Sequence, residues 1–185
     1  MMIRLRVMRE LVLITAVVGC SLSPLPPPTI STYGSEIGAN AKARHGRHPG
    51  IDFAGTIGDP VIAAADGVVI DVSDSPASSG KCVALRHGIR GRAWFTLYCH
   101  LDRILTNRGN LVTRGTKIGE LGASGAGAGG IAHLHFQLCT RACTTASFDG
   151  NLEHTVDPAT YTIGCFDPER TYNPDALQLT YPVEC

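Results

Sequence analysis

The 185-residue sequence has no excess charge of either sign, with 16 Lys and Arg against 16 Asp and Glu. Without the three arginines and one glutamate of the first 19 residues, the counts become 13 and 15, a net of −2. A basic face for nucleic acid is thereby excluded as a partner surface. Long amphipathic helical patterns are scarce. The apolar run at residues 11–18 is too short to span a bilayer. No His-Glu-x-x-His occurs, so no glutamate stands beside a histidine pair in the usual zinc-protease manner. There is no internal repeat beyond two similar turn-strand units around Asp66-Gly67 and Arg114-Gly115.

What the chain does have is turn residues, 21 Gly and 11 Pro, and 44% hydrophobic content, enough for one core. Short apolar runs lie between the turns at residues 60–64, 68–72, 81–87, 93–99, 111–112, 117–121 and 133–138. This spacing predicts an all-β class: an antiparallel sheet folded as a sandwich or open barrel, with few or no helices outside the N-terminal segment. The Gly/Ala/Ser stretch 122–130 reads as loop.

The N-terminus reads as an export signal at residues 1–19, an Arg-bearing segment followed by the apolar run. Val17-Val18-Gly19-Cys20-Ser21 resembles a bacterial lipobox, which implies cleavage before Cys20 and lipidation of it. Acyl chains would anchor the chain to a membrane, at about 0.8 kcal/mol per buried methylene. Ser21, rather than Asp, after the cysteine points to the periplasmic face of an outer membrane. Residues 20–30 are Pro-rich and form a tether that extends roughly 25–30 Å as polyproline II.

Cys20 aside, six cysteines remain: Cys82, Cys99, Cys139, Cys143, Cys165 and Cys185. An even set in an exported chain predicts disulfides. A hairpin turning at Gly88-Ile89-Arg90-Gly91 places Cys82 nearly opposite Cys99. Cys139 and Cys143 are near enough to pair locally, with Cys165 joined to Cys185. Swapped pairings stay open, as does metal binding by Cys139-x-x-x-Cys143.

Histidines carry the chemistry. In His133-Leu134-His135-Phe136-Gln137-Leu138, strand alternation puts His133, His135 and Gln137 on one face and the apolar residues in the core. Two imidazoles on one strand face reach a single ion or its water. His48-Pro49-Gly50-Ile51-Asp52 adds an imidazole and a carboxylate across a turn into a strand, and His100 stands in Leu97-Tyr98-Cys99-His100-Leu101. Such a set holds zinc and leaves a position for water. His45, between Arg44 and Arg47, reads as solvated loop, His87 as structural, and His154 as exposed.

These motifs, in order, resemble the lysostaphin-type (LytM-like) zinc metallo-endopeptidases of bacterial cell walls. That pattern is His-x-Gly-x-Asp, then Gly-x-Pro-Val-x-Ala-x-x-x-Gly-x-Val, Tyr-x-His-Leu and His-Leu-His-Phe, closing here with Val156-Asp157-Pro158. The resemblance covers about residues 31–163 and implies an endopeptidase domain at 31–164, with a Cys-containing extension at 165–185. It implies the duplicated hybrid fold, Zn2+ held by His48, Asp52 and His135, and catalytic roles for His100 and His133. The implied substrate is the peptide stems or cross-bridges of peptidoglycan.

The chain departs from this pattern at four places. Tyr33-Gly34 is followed by Ser35-Glu36 where an arginine is usual, Gly130-Ile131-Ala132 replaces a Thr/Ser-Gly, and Gln137 replaces a glutamate. The end after Gly164 lies outside it. Two other functions compete: a non-catalytic wall-binding relative that activates a separate hydrolase, and a lipoyl-type carrier, whose turn lysine is missing here.

Overall fold

The computed structural model describes residues 24–143 and 152–185. The export segment and Cys20 lie outside the described residues. Eleven short strands account for almost all of the regular structure: β1 Thr29–Ser31, β2 Ile51–Ala54, β3 Pro60–Ile62, β4 Gly67–Ser75, β5 Gly80–Ile89, β6 Arg92–Leu101, β7 Arg103–Ile104, β8 Leu111–Val112, β9 Lys117–Glu120, β10 His133–Cys139 and β11 Thr155–Val156. Two 3-10 turns, Ala126–Ala128 and Pro158–Thr160, are the helical elements among the described residues. The strands build two open antiparallel sheets. The larger runs β1-β2-β10-β6-β5-β4-β8, with β11 beside β10; the smaller runs β3-β9-β7.

Strand alternation sorts the large sheet into two unlike faces. Val83 and Leu85 of β5, Tyr98 of β6, and Leu134, Phe136 and Leu138 of β10 enter the main core, which also takes Val61 and Ile118 from the small sheet. Each fully buried side chain of this size contributes about 1.5–3 kcal/mol through removal of apolar surface from water. On the opposite face, Cys82, Ala84, Leu97, Cys99, Cys139 and Cys143 form a second cluster. Disulfides Cys82–Cys99 and Cys139–Cys143 lie within it, and Cys165–Cys185 closes the C-terminal segment.

The central hairpin turns at Arg90-Gly91, both at positive φ (48° and 76°), the backbone signature of a type I′ connection. Its ladder is regular from Ile89↔Arg92 to Val83↔Tyr98, then shifts to Lys81↔Leu101. One residue of β5, Cys82, thus faces two of β6, Cys99 and His100. This β-bulge, with His100 at φ 66°, breaks the alternation and turns His100 onto the face that carries Cys99.

The terminal segments pack against the same body. Pro27 is buried, and the Pro28 carbonyl accepts a hydrogen bond from Ala54 N at 2.9 Å. At the other end Leu179 and Thr180 are fully buried, and the Thr180 amide bonds to the Ala64 carbonyl. Arg114 reaches the Gln178 carbonyl at 2.7 Å and stacks on Tyr172.

Candidate metal centre

The site lies at one end of the Cys-bearing face of the large sheet. His135 of β10 pairs directly with Asp52 of β2, so both side chains leave the sheet on the same side. His48 arrives from the turn before β2, where Gly50 presses against β10. A Cβ at Gly50 would collide with the Phe136 carbonyl and sit 3.0 Å from the His135 ring. His48, Asp52 and His135 are each at most 1% exposed.

Their ligand atoms form a near-equilateral triangle. His48 Nε2 to Asp52 Oδ1 is 3.0 Å, His135 Nδ1 to Asp52 Oδ1 is 3.0 Å, and the two nitrogens are 2.9 Å apart. The partners on the far side of each ring settle which nitrogen bears the proton. His48 Nδ1 lies 3.0 Å from the Thr32 carbonyl, which can only accept, so Nδ1 donates and Nε2 offers a lone pair. His135 Nε2 lies 3.3 Å from Gln137 Oε1, again an acceptor, so Nδ1 offers the lone pair.

Three acceptors therefore converge, and a cation is needed to satisfy them. A proton can serve on one ring at a time; a metal ion serves all three together. An ion ~1 Å above the triangle lies ~2.0–2.1 Å from every corner, the range of zinc to nitrogen and oxygen. The donor set and its spacing fit Zn2+. Burial works to raise the Asp52 pKa, but the two imidazoles that face it hold the carboxyl far below its ordinary value. Burial of the charged form lowers His135.

Two further histidines border the cleft above this triangle. His133 Nδ1 donates to the Ile131 carbonyl at 2.9 Å, and its Nε2 stands 3.8 Å from Asp52 Oδ1. His100 Nδ1 donates to the Ser124 carbonyl at 2.9 Å. The two rings are 4.7 Å apart between centroids. Burial, then the neighbouring His133 and His135, push His100 down to about 3; burial also lowers His133. Both rings are thus uncharged near pH 7, with Nε2 as the nitrogen that carries the lone pair. The cleft holds about 570 Å³ and is walled by residues 38–47, Ser78 and residues 126–128, with His100, His133 and Asp52 at its base. Gly127 keeps that wall close: a Cβ there would lie 2.8 Å from the Ser78 carbonyl.

All five histidine and aspartate positions expected to act together are thus brought together. His87 is buried between the Asp66 carbonyl and Thr96 Oγ1, away from the centre. His45 is exposed on the cleft wall, and His154 is half-exposed beside Glu153. Sequence reasoning missed two residues. Arg44, read as part of a solvated loop, places Nη2 2.6 Å from Asp52 Oδ2. Gln137, read only as standing where a glutamate is usual, is the residue that orients His135. Its position two beyond His135 on the same strand face was the available signal.

Comparison with known proteins agrees with this geometry. The model of peptidase family M23 matches residues 46–149. Peptidoglycan DD-endopeptidase ShyB of Vibrio cholerae is 42% identical over 110 residues, 56% of this chain and 24% of its own length. Murein hydrolase activator NlpD of Escherichia coli is 29% identical over 115 residues, 62% of this chain and 27% of its own. The chain thus spans about a quarter of each relative. Among solved structures, the catalytic domain of lysostaphin from Staphylococcus simulans superposes with a TM-score of 0.57 at 25% identity, covering 73% of this chain and 91% of that one. A zinc-containing peptidase from Vibrio cholerae gives 0.51 at 32% identity, covering 66% and 38%. The family match extends over more than half of the sequence and contains the whole metal triangle and both cleft histidines. The chain belongs to peptidase family M23.

Proposed function

We propose that this protein is a zinc-dependent endopeptidase that hydrolyses peptide cross-links of peptidoglycan. The observation that carries the reading is the convergence of three acceptor atoms beneath two neutral imidazoles at the base of one cleft. His48, Asp52 and His135 would hold Zn2+, which when bound lowers the pKa of water and polarises a carbonyl. The chain's own residues do the rest. His133 and His100, each with Nδ1 tied to a main-chain carbonyl, present Nε2 as the nitrogen that takes a proton from water or passes one to the leaving amine. The walls at residues 38–47 and 126–128 hold an extended peptide across them.

A peptidoglycan substrate is supported by the relative that is a peptidoglycan DD-endopeptidase, and an exported, lipid-anchored location by the lipobox-like Cys20. The relative named as a hydrolase activator supports a second reading, binding without catalysis. Against it, a protein that only binds has no need of four imidazoles with fixed tautomers around one carboxylate.

The test is direct. Zinc-loaded protein should release soluble fragments from purified peptidoglycan, and mass spectrometry of those fragments identifies the bond. His135→Ala should abolish zinc binding and release together; if both survive, the metal assignment is wrong. A zinc-bound protein that releases nothing alone, yet stimulates another wall hydrolase, would establish the activator reading instead.

A further inference from the structure

The carboxylate of Asp52 faces two ways. Oδ1 closes the triangle with His48 and His135, while Oδ2 receives the guanidinium of Arg44 at 2.6 Å. Arg44 is itself held in place. Residues 36–44 fold back as a small hairpin, with Gly38 N bonded to the Lys42 carbonyl, an Ile37↔Ala43 bridge and Arg44 N bonded to the Glu36 carbonyl. From its end, Arg44 Nη2 also reaches Ser31 Oγ at 3.3 Å and Nε reaches the Ile37 carbonyl at 3.4 Å. Ser31 Oγ in turn lies 3.2 Å from His48 Nδ1. One three-quarters-buried guanidinium therefore ties the cleft wall, β1 and the metal carboxylate into a single network.

We propose that Arg44 is a positioning residue of the metal centre: by occupying Oδ2 it presents Asp52 through Oδ1 alone and keeps that carboxylate in place whether or not a metal is bound. This rests on the zinc peptidase reading above. Two physical consequences follow. A planar guanidinium held at Ser31 and the Ile37 carbonyl as well as at Oδ2 fixes carboxylate orientation in a way a point charge does not. Arg44 and a metal ion also draw on the same negative charge, so each weakens the other's hold on it. Arg44 thus gives up some metal affinity and in return leaves more of the ion's charge for substrate and water.

The experiment uses the full chain with Arg44→Met and Arg44→Lys, each prepared zinc-free and zinc-loaded. For Arg44→Met, zinc binding measured by chelator competition should become tighter by roughly tenfold. Its melting temperature should fall further in the zinc-free protein than in the zinc-loaded one, because the metal replaces the lost compensation. On peptidoglycan fragments kcat should drop ~10-fold or more, with KM nearly unchanged. Arg44→Lys keeps the charge but not the anchoring at the Ile37 carbonyl and Ser31, so zinc affinity stays near wild type while kcat falls.

An arginine that merely staples the loop would lower both melting temperatures equally and leave zinc affinity unchanged, and that result overturns the proposal. Should the Met protein fail to fold, an unchanged kcat in Arg44→Lys overturns it as well. If wild-type protein releases no fragments but the zinc-dependent difference in melting holds, Arg44 keeps its assignment and the hydrolytic reading falls alone.

Discussion

Gln137 accepts the Nε2 proton of His135 and so determines which nitrogen of that ring faces Asp52. Both residues are buried, so no water stands by to replace the amide. Gln137→Leu should weaken zinc binding by ~10–100-fold, the usual effect of removing an orienting partner from a metal-bound imidazole. It should also cost about 1–3 kcal/mol of stability through a buried N–H left without an acceptor. Gln137→Glu keeps the acceptor and should leave zinc affinity within a few-fold of wild type. Chelator competition and thermal melting read both; equal zinc affinity in the Leu variant would remove Gln137 from the centre.

The bulge at Cys99 and His100 makes the Cys82–Cys99 bridge more than a staple. It closes where His100 is turned toward His133. Joint replacement, Cys82→Ala with Cys99→Ala, should destabilise the fold by about 3 kcal/mol, as expected for a loop of this size. It should also lower kcat while zinc stoichiometry stays at one, since none of the three metal-facing atoms is on β6. Unchanged kcat in a protein that melts lower would mean that backbone bonding alone aims His100.

Acidification should act on both the fold and the chemistry. His87, His100, His133 and His135 are all shifted below the ordinary imidazole value of 6.5, each chiefly by burial. A group whose folded pKa is depressed binds fewer protons folded than unfolded, so its contribution is fully present above 6.5 and is lost as pH falls toward the folded value. Zinc-free melting temperature should therefore decline steadily from pH 7 toward 4. Peptidoglycan release should fade below about pH 6 as protons compete with the metal for its imidazole ligands. Flat activity down to about pH 4.5 would contradict neutral imidazole ligands.

Gly50 offers a purely steric probe. Gly50→Ala puts a methyl group against the Phe136 carbonyl and the edge of the His135 ring, so β2 and β10 must separate. A cost of about 1–3 kcal/mol is expected, with weaker zinc binding because His48 and His135 sit on opposite sides of that contact. Melting curves of the zinc-loaded and zinc-free variant check it. A loss confined to stability would show that the turn yields without moving His48.

Much of this was legible in the sequence, for reasons that can be named. Period-two alternation put His133, His135 and Gln137 on one face because β10 is a regular, fully buried strand. The hairpin read at Gly88-Ile89-Arg90-Gly91 placed Cys82 nearly opposite Cys99; in the structure the strands run on to Ile89 and Arg92, the turn shortens to Arg90-Gly91, and the two cysteines are bridged. The local pairing of Cys139 with Cys143 and the closure of Cys165 on Cys185, left open by spacing, are both present. Alternation fails at His100, where one inserted residue reverses the face, and no composition signal announces a bulge. Arg44 was illegible for another reason. Its partner lies eight residues away across a fold-back, and a charged residue among glycines looks like any solvated loop. The burial of Leu179, Thr180 and Val183 was equally hidden, since the C-terminal segment lacks strand periodicity and is held by main-chain bonds to residues 62 and 64.

The two faces of the large sheet bear on how the protein matures. Cys82, Cys99, Cys139 and Cys143 gather in one buried cluster on the face that also carries the histidine centre. Closing the Cys82–Cys99 and Cys139–Cys143 bridges cross-links the sheet on the side from which His100, His133 and His135 project, while the main core, which holds neither bridge, is left to apolar packing. A chain that matures without oxidation loses its covalent ties beside the histidines.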